Sequence, residues 1–377
     1  MPGEPGASSV LSRRALNRAT LERQLLLRRS ELSALDVVEH LVGMQAQVPL
    51  NPYTALWSRL QRFRPDELAQ LLLDRKVVRI VVMRGTLHLV TAGDCLVLRP
   101  LAQPVLDREL TRHPQYGPAL LGVELDPVLA FARALLAERP RTGAELRAAM
   151  EERFPEYDGA ALAYACRNLL AFVQVPPRGV WGRTAQVAST TAESWLGRPL
   201  ATNPSIDDVV LRYLAAFGPA TVADVATWSR LTGLREVVDR LRPLLRTFRD
   251  ERGRELVDLP NAPRPDPDTP APPRFLPEFD NVLLSHADRS RFVSEEQRAR
   301  LPATVGPVHG SVLNDGFLCG TWRLERDGDP GSATLVVSHL ERLTKRATAA
   351  LAAEGRRLLG FVAADADAHD VRFVAVD

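Results

Sequence analysis

Lysine is almost missing from this sequence. Lys76 and Lys345 are the only two in 377 residues, so nearly all of the 48 basic side chains are arginine. Arginine's planar fork suits bidentate phosphate binding, but arginine-rich codon usage produces the same excess, so the count alone assigns no partner. Cysteine is scarce too. Cys95, Cys166 and Cys319 lie far apart, which excludes a disulfide framework and a Cys-x-x-Cys metal clip and predicts buried, reduced thiols. The seven histidines show no His-Glu-x-x-His spacing, so no metal site is expected, and no motif implies an organic cofactor. No apolar run approaches the roughly 18 residues that span a bilayer. The opening segment MPGEPGASSVLSRR lacks the apolar stretch of a secretory signal. Residues 1–12 are therefore expected to be a disordered lead-in, and the protein to act as a cytoplasmic, nucleoid-associated monomer. A net charge of +2 gives no overall bias toward polyanions, so any such affinity rests on where the arginines sit.

What is present is a regular grammar of helix starts. Ser33 with Asp36, Thr91 with Asp94, Thr142 with Glu145, Ser205 with Asp208 and Thr221 with Asp224 each place a hydroxyl three residues before a carboxylate. That arrangement satisfies the free N–H groups at a helix start. After Ser33, the spacing of Leu35, Val38, Leu41 and Val42 draws one apolar stripe. Between helices come short apolar runs broken by glycine: VVRIVVMRGTLHLV (77–90), FVQVPPRGVWG (172–182) and LLRTFRDERGRELVDL (244–259) each read as a β-hairpin with an arginine beside its glycine. Helix, helix, hairpin thus occurs three times, which is the layout of a winged helix. The third copy is clearest, because TVADVATWSRLTGLREVVDRL (221–241) reads as helix, turn and helix directly before its hairpin. Hairpins that merely cover a helical core are the competing reading.

The segment PNAPRPDPDTPAPP (260–273) is half proline and is expected to be a semi-rigid extended connector. Beyond it, turn chemistry at Asn314-Asp315-Gly316 and Asp327-Gly328-Asp329-Pro330-Gly331, a helix near 340–355 and strands near 358–363 and 371–376 suggest a partly closed barrel. The expected class is α+β, with three tandem winged-helix motifs (13–113, 114–202 and 203–259), the connector, and a C-terminal β-barrel-like domain over 274–377.

Gln45 and Gln47 stand two apart between a helix and a proline. On a helix such residues diverge, but Gly43 and Pro49 disfavour helix here, and in an extended segment both amides face one side. A converging pair offers two carbonyl acceptors and two NH₂ donors without charge, enough to hold a water or a base edge. Bonds from these amides to the loop backbone are the alternative. Amides are poor acids and bases, so such a pair serves hydrolysis only when the leaving group is already activated, as in purines made cationic by N3 or N7 alkylation.

Other residues are candidates for holding DNA. Arg84 at the first hairpin tip, Arg178 and Arg183 at the second and Arg252 at the third are placed to meet phosphates. Thr86 and His88 alternate along the first hairpin and are expected on its solvent face. Arg289 and Arg291 would both meet a backbone if their segment is extended, with pairing to Asp280 or Asp288 the alternative. Ser285, His286 and Asp288 carry the letters of a hydrolase triad, but neighbours this close do not adopt its geometry. Tyr53 and Trp57, four apart on a helix begun by Pro52, are expected in the core.

Four segments, LNRATLERQLLLRR (16–29), GMQAQVPLNPYTALWSRL (43–60), VVRIVVMRGTLHLV and RFLPEFDNVLLSHADRSRFV (274–293), together resemble the bacterial winged-helix DNA-binding family that includes the AlkZ and YcaQ alkylpurine DNA glycosylases. The resemblance runs over nearly the whole chain. It implies three winged helices, a terminal β-barrel, double-stranded alkylated or cross-linked DNA as partner and a monofunctional glycosylase. The family's signature is glutamine, an apolar residue, then glutamine in the AlkZ branch or aspartate in the YcaQ branch. Gln45-Ala46-Gln47 matches the former, so the resemblance implies that these amides position the attacking water. A non-catalytic winged-helix regulator of DNA, or a protein-interaction scaffold, is the alternative.

Overall fold

The computed structural model describes residues 9–300, 309–328 and 331–376. Each of the five expected caps is in place: Ser33, Thr91, Thr142, Ser205 and Thr221 accept from the backbone N–H three residues on, and Thr142 and Thr221 form full capping boxes. The helices they start are Ala34–His40, Ala92–Arg112, Gly143–Arg153, Ile206–Phe217 and Val222–Ser229. The first hairpin pairs Val77–Val81 with Leu87–Thr91, and the third pairs Arg246–Asp250 with Glu255–Asp258 around Gly253 at φ +76°.

The second hairpin differs from expectation. Phe172–Gln174 does not turn at Arg178-Gly179 but runs into a longer loop, and the returning strand is Ala188–Thr191. Pro176 and Pro177 stop the pairing, because neither has an N–H to give to a ladder. The lead-in is also not wholly irregular: Val10 and Leu11 pair in parallel with Arg249 and Asp250. Residues 1–8 lie outside the described residues.

The first two hairpins join one sheet. Arg79 and Ile80 pair with Gln174 and Val173, Met44–Gln45 adds to the far side of Leu87–Thr91, and Arg141–Thr142 pairs with Ala188–Thr191, giving six strands. Behind it, Val78, Ile80, Val82 and Val90 share a core with Tyr213, Leu214, Phe217 and Trp228 of the helices after residue 205. The first and third helix-hairpin segments are therefore fused through one apolar interior. The second adds Ala171, Val173 and Val175 to that interior and keeps a further core of its own around Val128, Leu146, Met150 and Leu162.

Residues 260–273 hold no helix or strand, as the prolines dictate, yet they are packed down. Arg18 and Arg23 of helix Arg13–Arg23 donate to the carbonyls of Thr269 and Pro263. After them comes an open five-stranded sheet, Arg274–Leu276, Gly310–Asn314, Phe317–Asp327, Ser332–His339 and Ala368–Ala375 in that order. Among the described residues it does not close into the expected barrel. Residues 345–362 form one helix where a strand was expected at 358–363. Its buried Leu351, Leu358 and Leu359 cover the apolar face of the sheet, so a helical layer does what closure would have done. The turn at Asn314-Asp315-Gly316 is as expected; Asp329 and Pro330 of the other turn lie outside the described residues.

Candidate functional site

The chain leaves helix Ala34–His40 through two left-handed residues, Val42 at φ +55° and Gly43 at φ +92°. Gly43 is needed for space as well as for φ: a Cβ there would lie 2.7 Å from Val90 Cγ1 and 3.0 Å from the Leu89 carbonyl. The turn delivers Met44 and Gln45 to the edge of the first hairpin, opposite Leu89 and His88. Ala46, fully buried, is then fixed at both ends of its backbone. Its N–H donates to the Leu87 carbonyl at 2.8 Å, and its own carbonyl accepts from Arg79 Nη2 at 2.8 Å. The helix Asn51–Arg59 begins just beyond, with Pro52 in its first turn.

Gln45 is 9% exposed and Gln47 is exposed. Gln45 Oε1 accepts from Arg84 Nη2 at 2.8 Å. A guanidinium only donates, so this bond fixes the amide's orientation and leaves Nε2 facing away from Arg84. Gln47 stands on the rim of a cavity of about 490 Å³ that Thr86 and Arg178 also line. Gln45 is not among the residues that line it.

Arg84 is not the free tip residue expected from the sequence. It takes φ +59° and folds inward, donating to the Trp228 carbonyl (3.1 Å), Asn281 Oδ1 (3.2 Å) and His88 Nε2 (3.3 Å) as well as to Gln45. Buried Val82 and Met83 beside it pin the turn into the shared core. Burial lowers the guanidinium to about 10, with help from the charges of Arg230 and Arg289. It stays cationic at neutral pH.

His88 corrects a second expectation, because it is fully buried rather than on the solvent face. The strand Met44–Gln45 lies over the hairpin edge that would otherwise meet water. Since Arg84 donates to Nε2, the ring proton belongs on Nδ1, which donates to the Thr86 carbonyl at 2.9 Å. Burial, then the charge of Arg84, pushes this histidine down to about 3. Thr86 is half-buried, and its hydroxyl donates to the Met83 carbonyl.

The remaining arginines divide. Arg183 is exposed on the 175–187 loop, and Arg178 is half-buried with Nη1 on the Ala185 carbonyl. Arg252 is exposed but faces Asp288 at 3.6 Å and Glu295 at 3.7 Å. Arg289 is half-buried and has no ion-pair partner among the described residues. Arg291 is 5% exposed and donates to Thr20 Oγ1 and the Pro219 carbonyl, so it braces helix Arg13–Arg23 and is closed to a phosphate. The segment that holds these two is a 3₁₀ turn, Arg289–Arg291, not an extended strand, and the two side chains part company. Ser285 and His286 are spent on the Asn281 and Phe217 carbonyls, so no triad forms. Tyr53 is core, donating to the Gly179 carbonyl, and Trp57 stacks on Phe361 at 5.9 Å.

Two residues of the site escaped the sequence reading. Arg79 had a signal, a charge inside the otherwise apolar run VVRIVV. Asn281 had none. It bridges parts of the chain far apart in sequence, accepting from Arg84 and donating through Nδ2 to the Gly43 carbonyl at 3.1 Å.

Comparison with known proteins returns a consistent set. The model of the DNA glycosylase AlkZ-like family matches residues 38–361. An interstrand DNA cross-link repair glycosylase of Streptomyces sahachiroi is 27% identical over 334 residues, covering 81% of this chain and 85% of that protein. The solved structure of Streptomyces sahachiroi DNA glycosylase AlkZ has the same fold, with a TM-score of 0.75 at 23% identity over 97% of this chain and 100% of that one.

Proposed function

Because the chain belongs to the AlkZ-like DNA glycosylase family, we propose that it is a monofunctional enzyme that hydrolyses the N-glycosidic bond of purines made cationic by N3 or N7 alkylation. Bulky and cross-linked adducts are within this class, in keeping with the cross-link repair named for its Streptomyces relative. Water is the nucleophile, positioned by Gln45 and Gln47. The observation that carries the reading is the clamp on Ala46, whose N–H and carbonyl are both engaged while it is fully buried. With the residue between them held at both ends, the side chains at 45 and 47 are read as reaching one water from a buried and an exposed position.

The two amides divide the work. Gln45 has its oxygen committed to Arg84, so it presents N–H donors. Gln47 has no hydrogen-bond partner among the described residues and is free to accept a water proton through Oε1. Neither group is a strong base. The reaction supplies the drive instead: the cationic base departs with the bonding electrons and becomes neutral, the sugar passes through an oxocarbenium ion, and the water that adds at C1′, held by hydrogen bond to Gln47, gives its proton to surrounding water once it has bonded to carbon. The three helix-hairpin segments are read as tandem winged helices that hold the duplex, with helices Val222–Ser229 and Leu234–Leu241 as the clearest helix-turn-helix, joined through left-handed Arg230 and Gly233.

The test is chemical. Purified protein is incubated with a duplex carrying one N7-methylguanine, and the products are separated. Free methylguanine and an intact strand bearing an abasic site are expected. Binding without base release from several cationic lesions would leave a non-catalytic DNA-binding protein.

A further inference from the structure

We propose that the cavity beside Gln47 is a binding site for a single DNA phosphodiester next to the lesion, and not the pocket of the alkylated base. This rests on the reading of DNA as substrate and adds where the strand is pinned. The cavity of about 490 Å³ is lined by Gln47, Arg79, Thr86, Arg167, Gln174 and Arg178 among others, and no aspartate or glutamate contributes to its wall. Three arginines without a carboxylate make it strongly electropositive.

Arg79 gives the strongest indication. It is 2% exposed and has no ion-pair partner among the described residues, and its Nε and Nη1 are buried without any hydrogen-bond acceptor. Buried cations are ordinarily paired, because a bare charge loses its hydration with nothing in return. Burial lowers this guanidinium to about 10, and the nearby charge of Arg178 lowers it further in the same sense. It still carries its proton at neutral pH. Gly179 at φ +87° closes over it, and a Cβ there would stand 3.1 Å from Arg79 Cδ. Arg79 therefore supplies field from within the wall, while half-buried Arg178 and exposed Arg167 supply N–H groups that a ligand can reach. Gln174, the cross-strand partner of Arg79, also has a buried Oε1 without a donor, and rotation of its amide would turn NH₂ inward.

The charge decides which part of the substrate enters. A cationic purine is repelled by three arginines. A phosphodiester is attracted, and Gln47 on the rim places it beside the nucleotide whose C1′ meets the water.

Duplex affinity is measured by fluorescence anisotropy on undamaged DNA, which needs no chemistry. For wild type, Arg167→Gln/Arg178→Gln and Arg178→Lys, log Kd is plotted against log salt. The double variant is expected to flatten the slope by about 0.9, the value of one phosphate contact, and Arg178→Lys to keep it. An unchanged slope in a double variant that melts like wild type overturns the proposal. If the double variant melts early, Arg167→Gln alone carries the same comparison. Single neutral methylphosphonate linkages flanking a stable abasic-site analogue then locate the contact: one linkage should weaken wild type about tenfold and leave the double variant unaffected, and equal losses in both overturn the assignment. Inorganic phosphate that raises the wild-type melting temperature without competing against duplex would mark a free-phosphate site and overturn it as well. Base release is scored separately, so its absence would sink the glycosylase reading while the salt slopes still decide this one.

Discussion

At the scale of single residues, the site depends on which atom of Gln45 is already engaged. Arg84 holds Oε1 at 2.8 Å, and the same guanidinium grips Asn281 and His88, so one half-buried cation orients three polar side chains. Arg84→Met removes that grip and lets the amide rotate. Single-turnover base release should fall by about 10²-fold, the usual cost of misplacing a reacting group, with duplex affinity held within a few-fold. Lost affinity with an unchanged rate would show Arg84 to be a phosphate ligand instead. His88 carries a pH prediction. The folded protein keeps it neutral down to about 3, whereas an unfolded histidine takes up its proton near 6.5. Between those values the unfolded chain binds the extra proton, so stability falls as pH falls through the window and is fully present above it. The slope from this group is at most about 1.4 kcal/mol per pH unit. Urea midpoints at pH 7 and pH 4.5 measure it, and an equally steep decline in His88→Gln would contradict the assignment.

At the scale of elements, the Val42-Gly43 turn sets the register of the glutamine strand. Gly43→Ala should cost about 1–3 kcal/mol in backbone strain and clash and reduce base release, because the Gly43 carbonyl also anchors Asn281. Chemical denaturation of the variant checks the first part, and wild-type stability would show that the turn is not strained. Helix starts were legible in the sequence because a cap is a local event, settled within four residues, and all five hydroxyl caps formed. The first and third hairpins were legible for the same reason. The second was not, since Pro176-Pro177 ended pairing and the strand returned only at Ala188. The apolar spacing at 358–363 fits a strand or a helix equally well by itself. Packing of Leu358 and Leu359 onto the neighbouring sheet settled it as helix.

At the scale of the whole molecule, the site is a junction. Gln45 comes from the first helix-hairpin segment, the Trp228 carbonyl from the third and Asn281 from beyond the proline-rich connector, all meeting at Arg84. A buried Arg59–Asp280 pair, with side chains 1% and 2% exposed, ties the helix after the glutamines to the same distant segment. Local pattern could mark Gln45 and Gln47 as unusual, but it could not foresee that Arg84 and His88 would be interior. Their burial comes from an added strand and a shared core, both long-range. In the proposed mechanism the paired amides organise water for hydrolysis. The most direct test is the single-turnover rate of N7-methylguanine release by wild type, Gln45→Ala and Gln47→Ala, each at saturating enzyme with duplex affinity measured alongside. Losses of about 10²-fold or more are expected in both variants, with affinity kept. Undiminished release by either variant would contradict that mechanism.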